Sequence, residues 1–298
     1  MTSADISVKK LMQEFRLGLS GLYPEKEIMQ FVYILAEEIL SWPKTALHLD
    51  PERMVPAVAV NLLSRALEEL KEGRPIQYVT GTCWFNGTRL KVGPGVLIPR
   101  PETEELCLLV KKELPAASGR ELTILDIGTG SGCIAIDLKK HLPEAGVTAI
   151  DNSTVALGYA MANAATNRCT VTFVRANILD RPDREKLGTF NIIVSNPPYV
   201  TQSEMKRMQR NVTAFEPQEA LFVPDDDPLI YYRAICGFGA SHLAGSGILC
   251  MEINERFGKE VGELAGSSGF ANVTLFKDLH GKDRFIKASL RQRMAGEV

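Results

Sequence analysis

Residues 121–132 read Glu121-Leu122-Thr123-Ile124-Leu125-Asp126-Ile127-Gly128-Thr129-Gly130-Ser131-Gly132. The apolar run Glu121 to Asp126 is too short for a helix and is bounded by glycine, so it predicts a buried strand that ends in an acid. Three alternating glycines then predict a tight loop whose backbone N–H groups can approach a ligand without a Cβ in the way. A helix is expected to open directly after it.

Outward from this unit the pattern repeats. Val147 to Asp151 is a second strand that ends in an acid, followed by a helix from Ser153 to Thr166. Val171 to Arg175, Asn191 to Asn196, Ile248 to Ile253, Val273 to Phe276 and Arg284 to Leu290 supply five more strands. Strands alternating with helices imply βαβ units and an α/β fold, here a doubly wound, mostly parallel, seven-stranded sheet. Ligands in such sheets sit beyond the strand carboxyl ends, where strand order reverses. Asp126, Asp151 and the segment around Asn196 all fall at such ends.

The first seventy residues read differently. Val8, Leu11, Met12, Phe15, Leu19 and Leu22 share one helical face, and Ile28, Phe31, Val32, Leu35 and Ile39 another. A third helix is expected to start at Asp50-Pro51, as N-cap and first position, and to run through Met54, Val58, Leu62 and Leu70 to Gly73. Between bundle and sheet, Tyr78 to Val92 is rich in β-branched and aromatic residues around Asn86-Gly87, which predicts a β-hairpin linker. The expected division is a helical domain over 1–73, a hairpin linker over 74–98 and a catalytic domain over 99–298.

A length of 298 residues fits about two domains. Lysine plus arginine number 34 against 36 acids, a net charge of −2. A chain that chiefly grips nucleic acid would be expected to carry a basic excess, so no direct nucleic-acid partner is expected. Cys83, Cys107, Cys133, Cys169, Cys236 and Cys250 form no C-x-x-C pair and no zinc spacing with the four histidines, so free thiols and no metal are expected. The first twenty residues lack the apolar core of a secretory signal, and no window of about 18 residues is continuously apolar. A cytoplasmic monomer with no membrane segment is expected.

Two cofactor classes compete for the glycine loop. A dinucleotide fold wants G-x-G-x-x-G/A, whereas this loop reads G-x-G-x-G with Cys133 next. In either case Asp151, 25 residues after Asp126, can accept the ribose hydroxyls of an adenosine group; alternatively it caps the helix after it. Ser195-Asn196-Pro197-Pro198-Tyr199 ends the strand expected beside the first. A planar nitrogen is a poor nucleophile because its lone pair is delocalised, so it must be held in line with the group it attacks. The Asn196 oxygen and a proline carbonyl can accept its two N–H bonds, the prolines stiffen the segment, and Tyr199 offers a flat face.

The glycine loop with Asp126 before it resembles the class I S-adenosylmethionine methyltransferases, and Asn196-Pro197-Pro198-Tyr199 resembles those acting on planar NH₂ groups. Four further segments narrow the resemblance: Arg74 to Gly81, Leu97 to Glu104, Phe215-Glu216-Pro217 with Ala220-Leu221, and Asp278 to Arg284. Together they look like the signature of the peptide chain release factor glutamine N5-methyltransferases, over residues 74–290. The resemblance implies methyl transfer from S-adenosylmethionine, with S-adenosylhomocysteine as product, to the glutamine of the Gly-Gly-Gln loop in class 1 release factors. The alternatives are glutamine methylation of a ribosomal protein and adenine-N6 methylation of a nucleic acid. By resemblance Asp126, Gly128, Thr129, Gly130, Ser131, Gly132, Asp151, Asn177, Ile178 and Asn196 line the cofactor. Asn196, Pro197, Pro198 and Tyr199 hold the glutamine, with Asn196, Pro197 and Tyr199 as the catalytic set, and the helical domain docks the release factor. The family often has an aromatic at Ile178 and usually a glycine at Asn254, where asparagine tolerates left-handed backbone. Thr103 with Glu104 is expected to cap the helix Leu106 to Leu114; Arg100 and Glu216 are given no role.

Overall fold

The computed structural model describes residues 6–113 and 122–290. Glu121 and Leu114, the expected limits of one strand and one helix, lie outside the described residues, as do the ends of the expected domains. The chain divides into two compact units, residues 6–81 with 209–215, and 82–208 with 216–290. Residues 74–81 thus belong to the helical unit and the hairpin to the larger one.

In the helical unit, α1 (Val8–Leu19) starts at Ser7, whose hydroxyl accepts from Lys10 N, and buries Val8, Leu11, Phe15 and Leu19. Leu22 lies past its end and is exposed. Helix α2 (Glu25–Leu35) buries Ile28, Phe31, Val32 and Leu35, and Ile39 falls in the π-turn Ala36–Leu40 that extends it. The third long helix, α3 (Ala57–Lys71), does not begin at Asp50-Pro51. Asp50 ends a short helix, Lys44–Leu49, and Met54-Val55 pairs antiparallel with Ile6-Ser7, so Pro56 takes the N-cap position. The late start changes the buried face to Ala59, Val60, Leu63, Ala66, Leu67 and Leu70, leaving Met54, Val58 and Leu62 exposed. Tyr78 to Thr80 are helical as well: a short helix, Ile76–Thr80, follows Pro75 and stops at Gly81 with φ +73°. A proline N-cap and a left-handed glycine outweigh the β-branched composition between them.

The larger unit opens with the hairpin Thr82–Phe85 and Thr88–Lys91, closed by Asn86 and Gly87, both at positive φ as a primed two-residue turn requires. The seven strands are β1 (Thr123–Ile127), β2 (Gly146–Asp151), β3 (Thr172–Arg175), β4 (Phe190–Ser195), β5 (Leu243–Glu252), β6 (Phe270–Lys277) and β7 (Asp283–Leu290). They lie in the order β6-β7-β5-β4-β1-β2-β3. The five strands from β5 to β3 are parallel; β7 runs antiparallel to both β5 and β6. The α/β fold with a mostly parallel seven-stranded sheet is therefore present, with β4 beside β1. Strand order reverses at this pair, so a crevice opens between their carboxyl ends. Near-continuous burial of β1 and β4 reflects helices on both faces of a parallel sheet. The helices that frame the crevice are α4 (Pro101–Lys112), α5 (Cys133–His141), α6 (Thr154–Thr166) and α7 (Ile230–His242).

All six cysteines are free thiols. Among the described residues no helix is long and apolar enough to cross a membrane, and no cluster of metal-ligating side chains occurs.

Candidate active site

The crevice at the β1/β4 switch is a cleft lined by the glycine loop, the ends of β2 and β4, and residues of α4 and α7. Its floor is the glycine loop. Gly128, Gly130 and Gly132 all have positive φ, from +55° to +82°, which explains the alternation of glycines directly. The loop is fixed from below: Gly128 N and Thr129 N donate to Ile150 O of β2 at 2.9 and 3.0 Å. Buried Asn163 of α6 donates to Ser131 O and pairs with both backbone groups of Lys91, fastening loop to hairpin.

Asp126 does not reach the cleft wall. Fully buried under the loop, its Oδ2 accepts from the Thr129 hydroxyl at 2.6 Å and from Ala135 N in α5. Burial pushes its carboxyl up to about 7, with the nearby Asp151 adding to the rise, and Oδ1 has no hydrogen-bond partner. Asp151 does line the cleft. Its oxygens accept from Gly130 N and Ser153 N, both at 2.9 Å, and burial raises its pKa. The cap of α6 is Ser153, whose hydroxyl accepts from Ala156 N, so Asp151 is not the helix cap. Neither Asp126 nor Asp151 is ion-paired among the described residues. Asp151, a carboxylate in the cleft wall without a cation of its own among the described residues, favours a positively charged ligand.

Gly128, Thr129, Gly130, Ser131, Asn177, Ile178, Asn196, Pro197 and Pro198 line the cleft. Gly132 does not, and serves as N-cap of α5. Asn177 accepts from Leu179 N through its side-chain oxygen, and its backbone N–H donates to Asp183. Tyr231 of α7, which sequence reasoning missed, is the aromatic residue among the lining side chains. It follows Leu229-Ile230 in an apolar helix, and nothing in that pattern separates it from core.

At the other end of the cleft Asn196 donates through Nδ2 to Thr103 Oγ1 at 2.9 Å, leaving Oδ1 as its acceptor for a ligand. The prolines after it add no N–H donors. Tyr199 is not in the lining. Its hydroxyl donates to Glu252 Oε1 at 2.9 Å, and a buried carboxylate holds a phenol more firmly than an open cleft would. Thr103 is not the cap of α4. That position is Arg100, with Pro101 at N1, and the Thr103 hydroxyl donates to Glu252 Oε2 at 2.8 Å. Glu104 accepts from Asn86 N instead of capping. Arg100 lines the cleft and pairs with buried Glu216, which also accepts from Ile98 N; the pair pins residues 98–100 as a wall. Asn254 is not left-handed: at φ −68° it caps a 3₁₀ turn and donates to Tyr199 O and Glu204 Oε2.

Residues 107–215 match the protein family described as Methyltransferase small domain, and residues 19–81 match the PrmC N-terminal domain. The release factor glutamine methyltransferase of Flavobacterium psychrophilum is 44% identical over 285 residues, 95% of this chain and 99% of that protein. This chain belongs to the release factor glutamine methyltransferase family. That of Bacteroides thetaiotaomicron is 38% identical over 95% of this chain and 100% of its own length. Among solved structures, the T. thermophilus 16S rRNA N2 G1207 methyltransferase RsmC, in complex with AdoMet and guanosine, aligns with a TM-score of 0.51 at 17% identity. The alignment covers 70% of this chain and 50% of that one, a likeness of fold. The chain is a methyltransferase.

Proposed function

We propose that the chain transfers a methyl group from S-adenosylmethionine to the side-chain amide nitrogen of the glutamine in the Gly-Gly-Gln loop of class 1 peptide chain release factors. The observation that carries this reading is the Asn196 amide, fixed by Thr103 so that its oxygen is left for a planar N–H donor, at the strand end beside a glycine loop. Likeness to release factor glutamine methyltransferases over 95% of the chain supports the choice of acceptor.

The residues present fit the cofactor. Gly128 backbone lines the floor, and a Cβ built there meets no atom within 4 Å, so the loop leaves open space above it. Asp151 can accept ribose hydroxyls on the lone pairs its two backbone donors leave free. Ile178 and Tyr231 give apolar walls for a purine in place of a single stacking ring at 178. When bound, S-adenosylmethionine supplies an electrophilic methyl group on a cationic sulfur, and the Asp151 carboxylate in the cleft wall favours that charge.

The protein's own work is orientation. Asn196 Oδ1 and the Pro197 carbonyl accept the two amide N–H bonds and aim the nitrogen's face along the cleft. Those hydrogens become more positive as nitrogen bonds to carbon, so the same acceptors hold the transition state more tightly than the ground state. The amide proton then leaves to solvent. In the helical unit, exposed Leu49, Met54, Val58 and Leu62 offer an apolar surface for docking the release factor. The test is transfer of a tritiated methyl group to purified release factor, compared with Gln→Ala in its Gly-Gly-Gln loop. Label is expected in the first alone, and equal labelling would overturn the reading.

A further inference from the structure

The hydrogen bond that orients Asn196 is one step of a longer chain. Asn196 Nδ2 donates to Thr103 Oγ1, Thr103 Oγ1 donates to Glu252 Oε2, and the Tyr199 hydroxyl donates to Glu252 Oε1. Glu252 is 1% exposed and Thr103 2%, so bulk water does not compete for these bonds. Three elements converge here: the end of β5, the first turn of α4 and the segment after β4. The register that sets Met251 opposite Ser195 brings Glu252 alongside Asn196 in the next step of the two strands.

A primary amide is nearly symmetric in shape, so rotating it by 180° exchanges its oxygen and nitrogen at little steric cost. Asn196 therefore needs a signal that says which atom faces the cleft. A threonine hydroxyl alone gives none, because it can accept from Nδ2 or donate to Oδ1. An ionised carboxylate removes the ambiguity. It can only accept, so the single Thr103 proton must go to Glu252, and Thr103 can then only accept from Asn196.

We propose that Glu252 is a positioning residue for methyl transfer: through Thr103 it locks the Asn196 amide with Nδ2 inward, so that Oδ1 is what the acceptor amide meets. This rests on the glutamine-methylation reading. A group at 252 that can also donate a hydrogen bond weakens the lock, because Thr103 can then accept from it and turn its own proton toward Asn196 Oδ1. The cleft would then present N–H groups to the N–H groups of the substrate. A protonated Glu252 is such a donor. Burial pushes its carboxyl up to about 7; Glu102 raises it further, while the Thr103 and Tyr199 hydroxyls and the Arg284 guanidinium, itself paired with Asp278, pull it back. The Tyr232 hydroxyl also lies near. The lock therefore engages as pH rises through about 7.

The test uses the full chain with ¹⁵N-labelled asparagine, the Asn196 side-chain signals being identified by their loss in Asn196→Ala. In the parent chain these signals are expected to shift with a midpoint near pH 7, and in Glu252→Gln, a near-isostere, that titration is absent. This measurement needs neither cofactor nor release factor, so it stands apart from the glutamine-methylation reading, which the parent chain's own turnover reports. With saturating cofactor at pH 8.5, Glu252→Gln and Thr103→Val are each expected to lower kcat by about 10- to 100-fold with KM for the release factor within a few-fold. The double variant should be no slower than the slower single one, because both act on the same amide. Thr103→Ser, which restores the hydroxyl, should turn over at least about tenfold faster than Thr103→Val. An unchanged Asn196 titration in Glu252→Gln, or losses that multiply in the double variant, would overturn the proposal.

Discussion

Two glycines of one loop should fail in opposite ways when each is replaced by alanine. Gly132 sits at φ +82°, and a Cβ there would lie 3.2 Å from Ala160 Cα and 3.1 Å from Ala160 Cβ in α6. Left-handed backbone costs an alanine about 1–2 kcal/mol. The contact with a packed helix backbone, which cannot swing aside as a long side chain can, adds about 1–3 kcal/mol. Gly128 has φ +72° but no atom within 4 Å of its Cβ position, so only the first cost applies. Each kcal/mol shifts the melting temperature of a unit this size by about 2–4 °C. Gly132→Ala is therefore expected to melt several degrees below Gly128→Ala. Cofactor binding should order them the other way, because the Gly128 Cβ enters the cleft whereas Gly132 is outside its lining. Obstruction worth about 1.4 kcal/mol is tenfold in Kd. The assays are thermal melts by circular dichroism and calorimetric titration with S-adenosylmethionine well below both melting points. If Gly128→Ala melted lower, or Gly132→Ala lost more cofactor affinity, the assignment of one glycine to the fold and the other to the floor of the cleft would be wrong.

Asn196→Ala should keep cofactor affinity within a few-fold in calorimetry while methyl transfer falls by about 100-fold or more, since only the aim of the acceptor nitrogen is lost. Tyr231→Ala should weaken S-adenosylmethionine by about tenfold, the order expected for removing an aromatic contact, and leave kcat at saturating cofactor near the parent value. Asp126 is held at about 7 in the folded chain against an ordinary value of 3.8. Between those two values the native state keeps a proton that the unfolded state releases, so stability falls as pH rises through this window and levels off above it. Asp126→Asn should flatten that slope by up to about 1.4 kcal/mol per pH unit, read from urea midpoints between pH 4 and 8.

The catalytic half of the fold was legible in the sequence because its signals are local. A strand, an acid and alternating glycines sit within twelve residues, and the glycines prove to be those whose backbone must be left-handed. Asn196 was legible for the same reason, as a strand end followed by two prolines. What holds Asn196 was not. Thr103 and Glu252 are 149 residues apart, and their hydroxyl and carboxylate meet because β5 lies beside β4 in one register and α4 starts at Pro101. Thr103 ahead of an apolar run reads as a cap, and only the position of Pro101 shows that it is two residues inside the helix. The partner of the Tyr199 hydroxyl is also remote: buried Glu252, 53 residues on, accepts from it. In the helical unit Asp50-Pro51 carries every local mark of a helix start, yet the chain spends Met54 and Val55 on pairing with Ile6 and Ser7. That pairing is a contact across nearly fifty residues, invisible to periodicity.

The central claim is that Asn196 and its neighbours present one glutamine amide nitrogen for methylation. Mass spectrometry of the release-factor peptide that carries the Gly-Gly-Gln loop, after incubation with this chain and S-adenosylmethionine, tests it most directly. The account predicts a single added methyl group, fragmenting to the glutamine side chain, with none added by Asn196→Ala. An unmodified glutamine, or a methyl group on another residue of the release factor, would contradict it.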